Sequence, residues 1–424
     1  MLAPPPASPE SAGMSKAALD RLEDHLKQRY VDAGRFPGTQ LLIYRRGKVV
    51  HSTVQGFADL ERKAPVRDDT IFRIYSMTKP ITSVAFMMLV EEGRVAIDEP
   101  VHRYIPEWKN LGVFQAGTYP AFLTRPPSRP MLIVDLLRHT SGLTYGFQQR
   151  SNVDAAYRET KIGEVEKAGT LQSMVDDLAK IPLEFSPGEA WNYSVATDVI
   201  GYLIGQISGM PFEQFLKERI FNPLGMNDTD FYVPADKAHR FAACYSADPQ
   251  GGFNPLAADR KGGLTLQDDP TTSSFLSPPS FISGGGGLCS TAADYLSFCR
   301  ALLNGGELGG VRLLGPKTLK LMTTNHLPGG LDLPGMSRSL FSEATYNGIG
   351  FGLGFAVTMN PAQTLIPGSP GEYNWGGAAT TSFWIDPAEE LITIFMTQVL
   401  PSSAYPLRRE LRTMVYAAIT DSNI

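Results

Sequence analysis

Apolar residues recur along this chain with two different periods. Near the N-terminus Leu19, Leu22 and Leu26 fall at helical spacing with charges between them, which predicts an amphipathic helix over residues 15–30. Residues 39–44 and 48–54 read as strands flanking Arg45-Arg46-Gly47, and so predict a hairpin. From 72 to 92 the apolar positions crowd together (Val84, Phe86, Met87, Met88, Leu89, Val90) until Gly93, and predict a helix. At 348–355, Ile349, Phe351, Leu353 and Phe355 alternate with glycines, which predicts a strand; the spacing is not that of a phosphate loop. Residues 374–385 and 390–399 predict two more strands turned by Asp386-Pro387, and 406–419 a closing amphipathic helix.

The middle of the chain has another texture. Helical patterns at 173–178, 197–207 and 212–220 alternate with Pro- and Gly-rich loops, two of which (118–130 and 268–279) are long enough to wall a site. Ser283 and the glycines 284–287 then lead into a helix that Thr291 and Asp294 would open as a capping box and that ends near Asn304-Gly305-Gly306. The expected fold class is α/β (α+β). Residues 1–97 and 280–424 would form helices around an antiparallel sheet, and 98–279 an inserted, mostly helical part.

Composition narrows the function classes. A length of 424 residues with 43% hydrophobic and 19% charged residues implies a sizeable core. A net charge of −5 gives no basic footprint for nucleic acid or an anionic membrane. Three cysteines (Cys244, Cys289, Cys299), none in a C-x-x-C pair, argue against a disulfide scaffold and a cysteine-rich zinc site. Neither a signal peptide nor an apolar run approaching about 20 residues is seen, so a soluble cytoplasmic protein is the expectation. Asn192-Tyr193-Ser194 and Asn227-Asp228-Thr229 then read as chance glycosylation matches.

The candidate chemistry begins in RIYSMTKPITS, residues 73–83. Pro80 lacks an N–H and sits comfortably only in a first helical turn, which puts Ser76 at or beside a helix N-terminus. Free backbone N–H groups and the helix dipole favour developing negative charge there. Lys79 is three residues on, on the same face, where a desolvated amine can take the serine's proton. An S-x-x-K pattern alone is weak, because a capping serine beside a solvated lysine fits it equally well. Two further stretches strengthen it. Tyr193, in Trp191-Asn192-Tyr193-Ser194, precedes a helix and could project into a cleft, although most tyrosines simply pack and hydrogen-bond. Trp375-Gly376-Gly377-Ala378 lies in a predicted strand whose glycines mark a close approach or a bulge, and one N–H there could join that of Ser76 in an oxyanion hole.

In this order the pieces resemble the serine β-lactamase and penicillin-binding-protein superfamily, and most closely the family VIII carboxylesterases with their class C β-lactamase-like fold. The phrases at 136–143, 185–188 and 287–294 support the likeness, which runs from about residue 72 to 379. The resemblance implies that Ser76 is acylated, that Lys79 and Tyr193 form the base pair, and that the Ser76 and Ala378 N–H groups form the oxyanion hole. The site would lie between the two parts of the chain. It implies no metal and no cofactor, and small-molecule esters as substrates, with β-lactams secondary. Which of Lys79 and Tyr193 accepts the proton stays open, as does the oligomeric state.

The departures are informative. Where β-lactamases usually carry asparagine after the tyrosine, and lysine then threonine or serine in the strand, this chain has Val195, Trp375 and Gly376. An amide and a cation that would grip an anionic lactam are missing, at about 1.5–3 kcal/mol for each charged hydrogen bond. Val195, Trp375, Gly376 and Gly377 would instead line an apolar site suited to a neutral ester. Three alternatives remain: an acyltransferase of the same mechanism, a β-lactamase or D,D-peptidase weak on cephalosporins, and a non-catalytic binding module. No G-x-S-x-G nucleophile elbow is present, and His139 reads as a structural hydrogen bonder.

Overall fold

A computed structural model describes residues 3–164, 169–247, 263–338 and 346–424. Its centre is an eight-stranded antiparallel sheet. The strands are β1 (Gly38–Arg45), β2 (Lys48–Asp59), β3 (Ala64–Pro65), β4 (Ile349–Phe351), β5 (Ala356–Thr358), β6 (Tyr373–Gly376), β7 (Ser382–Asp386) and β8 (Leu391–Met396). Their spatial order is β4-β5-β6-β7-β8-β1-β2-β3, so the two ends of the chain meet where Leu42 faces Ile394. Five helices frame the site: α1 (Lys16–Leu26), α2 (Thr78–Glu91), α3 (Ala196–Ser208), α4 (Ala292–Leu303) and α5 (Leu407–Ala417). Leu19, Leu22, Leu411 and Val415 of α1 and α5 pack on Trp384, Leu391 and Phe395 on one side of the sheet. The opposite side shares a larger core with α2, α3 and α4.

Several predicted elements are corrected. The helix expected over 72–92 starts later. Phe72–Arg73 is a short strand paired with Cys289–Ser290, Tyr75–Met77 is a 3-10 turn, and only then does α2 begin, with Pro80 in its first turn. The strand expected at 374–385 is a hairpin of β6 and β7, and Ala378 lies in its turn. The strand expected at 348–355 is β4 followed by the turn that leads into β5. That turn passes close to α2, where a Cβ on Gly354 (φ +93°) would clash with the Ser83 side chain. The loop expected at 118–130 begins inside a hairpin of Val113–Thr118 with Ala121–Arg125. The predicted helix 212–220 is α-helical only over Phe212–Leu216 and ends in a wider turn. Thr291 does cap α4, accepting from Asp294 N–H at 3.2 Å. Asp294 turns its carboxylate to Asp228 N–H and Thr229 instead of closing a box. Cys244–Ser246 pairs in parallel with Val399–Leu400.

Among the described residues no helix is long and apolar enough to cross a membrane, and no cluster of acidic, histidine or cysteine side chains is suited to a metal.

Candidate active site

Ser76 sits in the 3-10 turn immediately before α2, and is partly exposed. The residue before it, Tyr75, is in the left-handed region at φ +43°, a conformation costing a side-chain-bearing residue about 1–3 kcal/mol. The turn is held from both sides. Ile74 N–H donates to Leu288 O at 3.0 Å, Leu288 N–H donates to Thr78 Oγ1 at 3.2 Å, and Tyr295 Oη donates to Met77 O at 3.0 Å. With its neighbours tied, the strained turn cannot relax. His139 (φ +58°) and Thr380 (φ +70°) are two more left-handed residues around the same site.

Lys79, in the first turn of α2, is buried. Its Nζ lies 3.3 Å from Ser76 Oγ, 3.0 Å from Tyr145 Oη and 2.6 Å from Gly285 O. Burial pulls its pKa down to about 7, only partly opposed by the charge of Asp198. The amine also lies 4.5 Å from the centre of the Tyr193 ring. Tyr193 is buried at the start of the segment leading into α3, and its hydroxyl is hydrogen-bonded with Ser76 and accepts from Trp375 Nε1 at 3.2 Å. Burial raises its pKa above the ordinary phenol value, against those two hydrogen bonds, so it keeps its proton through the neutral range. The structure therefore brings Ser76, Lys79 and Tyr193 together at one hydroxyl.

The β6–β7 turn lies against the turn that carries Ser76. A Cβ on Gly377 would stand 2.5 Å from Ile74 O, so only glycine admits this approach. A Cβ on Gly376 would meet Arg408 Nη2 at 2.5 Å. Arg408 uses that space to donate to Gly377 O at 3.0 Å. Among the described residues neither the Ser76 nor the Ala378 N–H has a protein acceptor. Trp375 is buried, with its ring centre 5.4 Å from those of both Tyr193 and Phe351. Val195 is fully buried, and Gly163 packs so closely over it that a Cβ there would meet Val195 Cγ1 at 2.6 Å.

Three groups around Lys79 escaped the sequence reading. Tyr145 lies two residues past the phrase at 136–143 and its hydroxyl contacts Lys79; burial, then the charge of Asp198, hold its pKa well above the ordinary value. Asp198, in the first turn of α3, is buried, and burial raises its pKa against the charge of Lys79 and the donors Ser283 and Gly285. Gly285 supplies the carbonyl under Lys79. A tyrosine and an aspartate near known motifs, and a run of glycines, were the available signals, but none marks its partner in the linear chain. Among the described contacts His139 has no hydrogen bond to Ser76, Lys79 or Tyr193. Its Nδ1 is 3.2 Å from Ser194 Oγ, its ring centre 5.0 Å from that of Tyr193, and burial drives its pKa well below the usual value, leaving it neutral.

A family profile described as Beta-lactamase matches residues 19–417. Esterase EstB of Burkholderia gladioli is 30% identical over 421 residues, covering 96% of this chain and 98% of that one. Protein Rv1367c of Mycobacterium tuberculosis (strain ATCC 25618 / H37Rv) is 37% identical over 373 residues, 87% of this chain and 88% of the relative. Among solved structures, EstCE1, a hydrolase with promiscuous acyltransferase activity, superposes with a TM-score of 0.76 at 26% identity, over 96% of this chain and 99% of that one. The chain belongs to the beta-lactamase family, in the serine β-lactamase and penicillin-binding-protein superfamily and on its family VIII esterase branch. It has the β-lactamase-like fold and is a serine hydrolase.

Proposed function

We propose that the protein hydrolyses small carboxylic esters through an acyl-enzyme on Ser76, in a cleft between residues 98–279 and the rest of the chain. The observation that carries this is the meeting of Lys79 Nζ and Tyr193 Oη at Ser76 Oγ. Lys79, with a pKa of about 7, is substantially an uncharged amine at neutral pH and takes the hydroxyl proton as Ser76 attacks the ester carbonyl. The N–H groups of Ser76 and Ala378 receive the developing oxyanion. The tetrahedral adduct expels the alkoxide, which leaves as the alcohol with the proton returned from Lys79; Tyr193, still protonated beside Ser76, bridges that transfer. Water then attacks the acyl-enzyme with the same groups in reverse.

An ester fits better than an anionic lactam. Trp375 occupies the position of the family's strand lysine and directs its indole N–H to Tyr193, so that position offers no cation to a carboxylate. The likeness to EstCE1 favours a second outcome for the same acyl-enzyme, transfer to an alcohol. Assaying a short-chain aryl ester with and without a competing alcohol separates the two by product analysis. In the same assay Ser76→Ala is expected to lower turnover by about 10⁴–10⁶-fold. Near-normal rates in that variant would remove the proposal, and cephalosporin turnover matching ester turnover would replace esters by lactams.

A further inference from the structure

Asp198 and the glycine run 284–287 are two buried parts of this site that the reaction above leaves without a task. They touch each other. Asp198 Oδ1 accepts from Ser283 Oγ at 2.6 Å and from Gly285 N–H at 3.0 Å. The same Gly285 offers its carbonyl to Lys79 Nζ at 2.6 Å, while Gly284 O accepts from Thr82 Oγ1 at 2.8 Å, one helical turn on. The backbone itself fills the gap between α2 and α3. A Cβ on Gly285 would lie 2.7 Å from Asp198 Oδ2 and 3.0 Å from Tyr145 Oη, and one on Gly284 would lie 2.8 Å from Thr197 O.

An uncharged amine has two N–H bonds and one lone pair. Gly285 O can only accept, and Tyr145 Oη has an oxygen free to accept, so these two take the N–H bonds. The lone pair is then left facing Ser76 Oγ at 3.3 Å. Building on the reading of Ser76 as nucleophile, we propose that Asp198 is a positioning residue for Lys79. Through the Gly285 backbone it aims the amine's lone pair at Ser76, and through its charge it keeps that amine basic enough to take the proton. Asp198 and Lys79 are not joined by an ion pair among the described contacts, so the carboxylate works through Gly285 and through space.

The other titratable groups facing the amine are Tyr145 and Tyr193 from the loops before and after residues 152–159, and His139 at the end of the helix Ile133–Leu137; Arg408 of α5 acts on Tyr193. Burial keeps the phenols protonated and the imidazole uncharged over the neutral range, so it is the charge of Asp198 that opposes the effect of burial on the amine.

The test is the pH dependence of Ser76 labelling by a fluorophosphonate and of kcat/KM for an aryl ester, in wild type and Asp198→Asn. The amide keeps one acceptor oxygen and removes the charge. The acid limb should move down by about one pH unit, and the high-pH plateau should fall several-fold because the amine is a weaker base. A lowered plateau with the limb unmoved would reduce Asp198 to packing and overturn the inference. Should Asp198→Asn fail to fold, Ser283→Ala loosens the carboxylate while leaving α3 intact. It should shift the limb the same way by a smaller amount, and an unshifted profile there would equally overturn the inference. Absence of Ser76 labelling in wild type would remove the underlying reading itself. Labelling with superimposed limbs in wild type and both variants would remove only the role given to Asp198.

Discussion

Lys79, confined with no ion-pair partner among the described residues, sets both how the proposed site would work and what it costs. Lys79 is depressed from its ordinary value to about 7, so activity should rise through a single limb near pH 7 as the amine loses its proton. Tyr193 is shifted upward, so no descending limb from it is expected below about pH 10. A kcat/KM profile with a falling limb near pH 8 would contradict that assignment. The same shift bears on stability. Between about pH 7 and 10 the unfolded chain carries a proton on Lys79 that the folded chain does not, so this group's contribution to stability grows with rising pH. Against a Lys79→Met variant, wild type should gain up to about 4 kcal/mol across that window, read by urea unfolding at each pH. Equal pH dependence in the two proteins would mean the amine is not desolvated. At this scale Ser76, Lys79 and Tyr193 were legible, because each stands in a short pattern whose chemistry is local. Tyr145 and Asp198 were not, because what distinguishes them is a contact with Lys79 or Gly285 made only in the folded chain.

Among the elements, the delayed start of α2 and the tight β6–β7 turn matter most. Pro80 fixes the first turn of the helix, and the strand pairing of Phe72–Arg73 holds the chain until the 3-10 turn that presents Ser76. Opposite it, Gly377 lets the sheet turn approach Ile74. Gly377→Ala should push Ala378 away from Ser76 and lower kcat by about 10²–10³-fold, with a smaller change in KM. A change confined to KM would place that turn in substrate binding alone. The two turns read as continuations of strands show why element boundaries were hard to see. Gly352 and Gly377 fall in step with the period-two alternation, and a turn residue that keeps the alternation looks like a strand residue. Their positions become visible only from what a side chain there would strike: Met322 O at one, Ile74 O at the other.

For the whole molecule, the turn that carries Ser76 is anchored to distant chain by a buried cation. Arg73 is fully buried, its Nε donates to Asp268 Oδ2 at 2.7 Å, its Nη1 donates to Ala242 O at 2.6 Å, and its guanidinium lies 3.9 Å from the centre of the Phe241 ring. Asp268→Ala would leave that charge uncompensated and should destabilise the protein by about 3–5 kcal/mol in urea unfolding. A loss below about 1 kcal/mol would show that water reaches Arg73 instead. This cross-connection, like the pairing of β1 with β8, joins segments far apart in sequence, which residue periodicity cannot encode. The broad architecture was legible all the same, since helices at both ends, strands near them and helices between follow from local patterning. The covalent step at Ser76 is tested most directly by rapid acid quench with an aryl ester followed by peptide mass spectrometry. The prediction is one acyl increment, localised to Ser76 and absent from Ser76→Ala. Steady turnover with no acylated Ser76 peptide, or with the acyl group on another residue, would contradict it.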